Sequence, residues 1–375
     1  MTRREWLALA GFALAGACEP KKHTGFGGYA LVAASGDNSI TAIDLTTFQL
    51  AKSIPLSGSP TAVVPGPAGR SYVLTPVTGR VHILDADLNL AGSYRLADEL
   101  SHMRLTQDGK RVIATAARSR ELIEADPADL RVIRRHKLHA EPSFLDVSAG
   151  NVVAVSSGEQ GMVELVDLAS GRQTQLQLPA PVGDVRFRAD GKLLLLANYG
   201  ARSLTALSVP DLQTVADLPL AMQPQNLCFN ADQGQLFVSG DGMDAVAIVF
   251  PYNTLEVDQT VLAGRDPGPM ACSAAPAYLF VASANGSDVC ILNIDTRKVI
   301  GIVEVGEKPS YICITPDSRY ALVLDQKSED LAVIYIPDIA RNTLRTNRYK
   351  TGGSLFTLLP VGNRPVHVAI TPKLA

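Results

Sequence analysis

Tryptophan is almost missing from this chain: the one copy is Trp6, and the rest of the 375 residues contain none. The ring best suited to stacking on sugars and quaternary amines is thus absent from the body of the protein. Neither sign of charge is in excess. The formal net charge is −3, so no global field draws the protein onto nucleic acid or an anionic surface. Long apolar runs are missing too, except at the N-terminus. Cysteine is sparse. Cys228, Cys272, Cys290 and Cys313 each sit inside an apolar run without C-x-x-C spacing, which favours small buried hydrophobes over bridges or metal ligands. Helical spacing is nearly absent. No G-x-S-x-G, H-E-x-x-H, phosphate-loop, dinucleotide or C-x-x-C-H pattern stands in a supporting context, and no metal or cofactor is expected. In RRHKLH (134–139), His136 and His139 fall on opposite sides of a strand, which reads as a solvated basic edge rather than a chelating pair.

The one long apolar run is MTRREWLALAGFALAGAC. Arg3 and Arg4 form a basic head, Trp6 to Ala17 an apolar middle, and small residues precede Cys18. This is signal-peptide anatomy, too short to span a bilayer comfortably. Ala15-Gly16-Ala17-Cys18 resembles a bacterial lipobox, with Ala15 where Leu is usual. The resemblance implies lipidation of Cys18; the other reading is ordinary cleavage near Ala17. The stretch from Thr2 to Leu7 also resembles a twin-arginine export signal. The expected division is a signal over 1–18, a short link over 19–28 and one domain over 29–375. The expected location is exported, periplasmic or cell-surface, with a lipid as the only membrane contact.

From Tyr29 onward one pattern repeats. A hydrophobic run such as YALVAAS (Tyr29), LLLLANYG (Leu193) or YALVLDQ (Tyr320) is followed some ten residues later by a second, such as ITAIDLTT (Ile40) or VCILNIDT (Val289). A shorter third run follows. A fourth, often introduced by proline, precedes a turn such as Pro316-Asp317-Ser318-Arg319. Each unit therefore reads as four short strands punctuated by Gly, Asp, Asn and Pro. Eight units divide the span into about 43 residues each, the size of a β-propeller blade. The expected fold is all-β, a single closed propeller of eight four-stranded blades, with seven as the runner-up because 111–150 is weakly patterned. The chain opens on the second strand of a unit and ends on an introductory strand, PVHVAITP (365–372), so the last strand is expected to complete the first blade.

PSYICITPDSRYALVLDQKSEDLAVIYI (309–336) resembles the YVTN family of β-propeller repeats. Pro316-Asp317, Tyr320, Asn198, Asp44, Asp167 and Asn293-Ile294-Asp295-Thr296 carry the resemblance. It implies architecture across the body of the chain and little chemistry, since surface-layer proteins, quinoprotein-like propellers and lactonase-like enzymes share it.

The introductory strands are the innermost of their blades, so a site is sought there. Counting from each introductory proline, one face is apolar. The other carries His102, Arg104, Asp146, Asp184, Arg186, Asn226, Tyr311 and His367, eight candidate ligand-binding residues on one side of the pleat. In the seventh unit, counting from Pro269 places Ala271 and Ser273 on that side. The bland reading is a wet channel with Arg104, Asp146 and Arg186 paired between blades. The functional reading is a polar funnel for a small anionic or polyhydroxylated ligand. The expected role is a non-enzymatic, monomeric scaffold at the envelope, with envelope proteins or such a ligand as partner and no nucleic acid. Two alternatives stay open: a lactonase-type hydrolase using His102 or His367 as base, and a cofactor-bearing redox propeller.

Overall fold

The computed structural model describes residues 25–179, 181–252, 255–339 and 354–373. The segment 1–18 with Cys18, and all of the basic insertion 342–354 except Ser354, lie outside the described residues. Among the described residues, thirty-two strands run from β1 (Gly28–Ala34) to β32 (Pro365–Pro372). They form eight sheets of four antiparallel strands. Eight blades are present, and the weakly patterned unit is a full blade, from β8 (Met103–Leu105) to β11 (Val132–Lys137).

The innermost strands are β32, β4 (Ala62–Pro65), β8, β12 (Phe144–Val147), β16 (Val185–Phe187), β20 (Gln223–Phe229), β24 (Pro267–Cys272) and β28 (Pro309–Ile314). The turn after each inner strand explains the punctuation. In the eighth blade, Thr315 Oγ1 donates to Asp317 Oδ1 at 2.6 Å, and the same carboxylate accepts the Arg319 amide at 3.2 Å. Thr106 and Asp108 repeat the first contact at 2.7 Å in the third blade. A short carboxylate that bonds the backbone two residues on makes this turn locally stable.

Each blade interface holds its own apolar cluster. Alternation along one strand feeds two of them. In β1, Ala30 and Val32 pack against the eighth blade, while Leu31 and Ala33 pack against the second. This period-two division explains why the second strand of every unit is apolar on both faces. The ring closes as expected: β32 pairs antiparallel with β1, Gly28 opposite Pro372 and Val32 opposite Val368.

The interface between the third and fourth blades is also polar. His136 is buried, and its Nε2 sits 2.6 Å from Glu124, which Arg111 approaches at 3.4 Å. His139 Nδ1 lies 2.8 Å from Glu164, whose carboxylate also accepts the His139 amide. The expected solvated basic edge is thus wrong for His136. A buried glutamate from the neighbouring strand claims it, a partner that local sequence does not reveal.

Candidate functional site

The inner strands bring the polar face together around the channel. His102, Arg104, Arg186, Tyr311 and His367 line one cavity of about 310 Å³. They come from the third, fifth, eighth and first blades, so only ring closure assembles them. Asp146 lines a neighbouring cavity of about 240 Å³, and Arg186 borders both. Asp184 joins through an ion pair, with Arg186 Nη2 3.1 Å from Asp184 Oδ2. Asn226 lines neither space. Its amide donates to Ser239 Oγ at 3.3 Å within its own blade.

The pairing differs from the expected blade-to-blade network. Arg186 binds the carboxylate two residues earlier in its own chain segment. Asp146 instead accepts the Phe187 amide at 2.8 Å from the next blade. Arg104 is exposed to the channel and forms no hydrogen bond or ion pair among the described residues. A period-two pattern shows which side chains share a face, but not which of them meet.

Electrostatics follows from depth. Asp184 and Arg186 keep only 13% and 30% of their side-chain surface open to channel water. Burial pushes the Asp184 carboxyl up, with Arg186 opposing and Asp146 adding to the rise. For Arg186 burial opposes the charge, but Asp184 and Asp146 together outweigh it and raise its pKa. Burial, reinforced by the Arg104 charge, lowers both His102 and His367 to about 4. Both imidazoles are therefore neutral at physiological pH. His367 Nδ1 accepts the Val63 amide at 3.4 Å, and its ring lies 4.4 Å from that of Tyr311. His102 Nδ1 is buried without a hydrogen-bond partner among the described residues.

The two histidines set an acid limit on stability. Their folded pKa lies below the unfolded value, so their contribution is full above about pH 6.5 and is lost as pH falls toward about 4. Melting temperature is expected to fall across that window. In a His102→Gln/His367→Gln variant the decline flattens; an unchanged slope would refute this origin.

Two further groups were invisible to pattern reading. Cys228 Sγ and Cys272 Sγ, from β20 and β24, lie 3.8 Å apart. Cys290 and Cys313 fit the expected role of small hydrophobes, and burial raises each thiol to about 12. In the eighth blade, fully buried Asp325 faces Asp330 across Tyr320–Asp325 and Asp330–Tyr335. Burial, and then the Asp330 carboxyl that faces it, raises Asp325 to about 8. In the seventh blade the register sits two residues from the proline-based alignment. Cys272 pairs with Leu279 as Ile314 pairs with Ala321, and Pro267 pairs with Ser283 as Pro309 pairs with Asp325, so Pro267, not Pro269, is the introductory proline of this blade. Ala271 therefore occupies the place of Cys313, and Ser273 lies beyond the strand.

The fold defines the chain as an eight-bladed β-propeller. No protein-family model matches it, and no curated protein matches its sequence. Solved structures do. Dihydro-haem d1 dehydrogenase NirN, in complex with DHE, superposes with a TM-score of 0.72 at 16% identity, over 91% of this chain and 74% of that one. A functionally unknown protein from Desulfotomaculum acetoxidans DSM 771 gives 0.60 at 11% identity, over 92% and 98%. Hydrazine synthase from Kuenenia stuttgartiensis gives 0.56 at 16% identity, over 74% and 95%. At these identities the likeness shows the fold alone.

Proposed function

We propose that this protein is a binding scaffold whose channel mouth takes a small anion bearing a carboxylate or phosphate. The observation that carries this reading is Arg104, a guanidinium in the cavity wall with no protein counter-charge bonded to it. Arg186 adds a second cationic group, already paired with Asp184. Neutral His102, His367 and Tyr311 complete the wall as hydrogen-bonding groups. Planar guanidinium forks suit carboxylate and phosphate oxygens. The volume, about 310 Å³, is at the small end for ligand pockets.

The N-terminal pattern and the YVTN-like repeats support placing the scaffold at a bacterial envelope, carried on a lipidated Cys18. The hydrolase alternative is weaker. A general base works best with a pKa near the operating pH, and both histidines sit far below it. A redox role is prompted by the NirN likeness, but at 16% identity that likeness carries the fold alone. Visible absorbance of the purified protein would favour the redox reading at once.

Arg104→Ala tests the proposal cleanly, because Arg104 ties no structure together. Inorganic phosphate and citrate are the probes, read by calorimetry. The variant is expected to keep its melting temperature and lose at least about tenfold in affinity, about 1.4 kcal/mol. Adding Arg186→Ala should abolish binding, with some loss of stability from the stranded Asp184. If neither probe binds the wild type, or Arg104→Ala binds equally well, the anion site is wrong.

A further inference from the structure

Among the described residues, the thiols of Cys228 and Cys272 are a close pair of nucleophilic side chains that the anion site does not use. They sit on neighbouring inner strands of the sixth and seventh blades, 3.8 Å apart and both free. Neither is fully enclosed. A disulfide needs about 2.05 Å between sulfurs, so closing the gap asks for a shift of under about 2 Å, within the reach of two side-chain rotations.

Their surroundings differ in a way that matters. Cys228 follows Arg186 in the ring order, one blade on, and that guanidinium favours its thiolate. The hydrogen bond from Cys272 lowers the Cys228 pKa most, while the same bond and burial raise Cys272. The Arg186 charge acts on Cys228 and not on Cys272, so Cys228 is the thiol favoured as nucleophile. Cys290 and Cys313 have no such help and stay protonated.

We infer that Cys228 and Cys272 form a reversible thiol–disulfide exchange site that takes a low-molecular-weight disulfide as its oxidant. The Cys228 thiolate attacks one sulfur of the small disulfide, breaks its S–S bond and releases one small thiolate. The Cys272 thiol then loses its proton and attacks Cys228 sulfur in the mixed disulfide. A second small thiolate leaves as the cross-blade bond forms. Two protein thiols are oxidised by two electrons, and one small disulfide is reduced to two thiols. The product staples the sixth blade to the seventh at the channel wall. This inference is independent of whether the mouth holds an anion.

The full chain is incubated with oxidised glutathione, then unfolded in the presence of N-ethylmaleimide so that every remaining thiol is alkylated, and mapped by mass spectrometry. One internal link, 228 to 272, is expected, reversed by dithiothreitol, with Cys290 and Cys313 alkylated. Cys272→Ser should trap one glutathione on Cys228. Cys228→Ser should leave Cys272 at least about tenfold less modified. Serine is nearly isosteric, and circular dichroism reports whether each variant is folded; the wild-type map stands by itself if one is not. Continued alkylation of both thiols, a link to another cysteine, or equal trapping at all sites would each overturn the inference.

Discussion

Replacing Asp325 with Asn is expected to raise the melting temperature by roughly 4–7 °C at about pH 8 and to leave it unchanged below about pH 4. The native carboxyl holds its proton up to about 8, whereas the unfolded chain releases it near the ordinary aspartate value of 3.8. Below 3.8 both states are protonated and the site is neutral in the balance. As pH rises from there to about 8, only the unfolded state ionises, so folding loses stability throughout that window. Each unit of separation is worth about 1.4 kcal/mol, and a coupled pair that relaxes a little leaves about 3–5 kcal/mol. Asparagine removes the ionisation and keeps the geometry. Its carbonyl can still accept the Gly306 amide, now 2.9 Å from Asp325 Oδ2, and its amide can donate to Asp330. Gly306 must be glycine for that approach, since a Cβ there would lie 2.7 Å from Asp325 Cβ. The repeat already uses this solution: Asn198 stands opposite Ser203 in the fifth blade as Asp325 stands opposite Asp330. Calorimetry across the pH range decides the matter. Equal melting temperatures at about pH 8 would mean that Asp325 is not the protonated partner.

Deleting 363–375 is expected to abolish soluble folding. The truncation removes β32, and with it the inner strand of the first blade. Val368 and Ile370 leave the cluster shared with the eighth blade, and Val366 and Ala369 leave the one shared with the second. Four apolar side chains at about 1.5–3 kcal/mol each, slightly less for alanine, remove roughly 6 kcal/mol or more. Total stabilities of about 5–15 kcal/mol leave little after that loss. Moreover, β1 becomes an unpaired, fully apolar edge, which invites aggregation. Soluble expression with an unchanged thermal transition would defeat the closed-ring account.

Much of this architecture can be read from the repeats, because each strand carries its own periodicity and each turn its own chemistry. Blade number and the closing strand follow from counting. The polar face of the inner ring follows from parity, and five of its members do share one cavity. What parity omits is distance between different strands. Arg104 and Arg186 look alike in the pattern, yet Asp184 takes one and none of the described residues takes the other. His136 reads as exposed in RRHKLH, because Glu124 reaches it only across the sheet. Cys228 and Cys272 belong to different faces of the repeat, and meet because neighbouring blades turn those faces toward each other. In the seventh blade a count from Pro269 starts two residues late, because Pro267 opens the strand opposite Ser283, a pairing that local sequence does not show.

The pairing of Gly28 with Pro372 makes the order of the blades a matter of convention. A circle of eight units has no first member, so the chain can in principle be cut and rejoined elsewhere. Joining the two flanks of the seam with a short linker and opening a between-blade connection, such as the one at 220–222, would give a circular permutant with the same neighbours everywhere. The seam would then be covalent, and the new termini would flank two complete blades that close the ring by side-chain packing alone, without an exchanged strand.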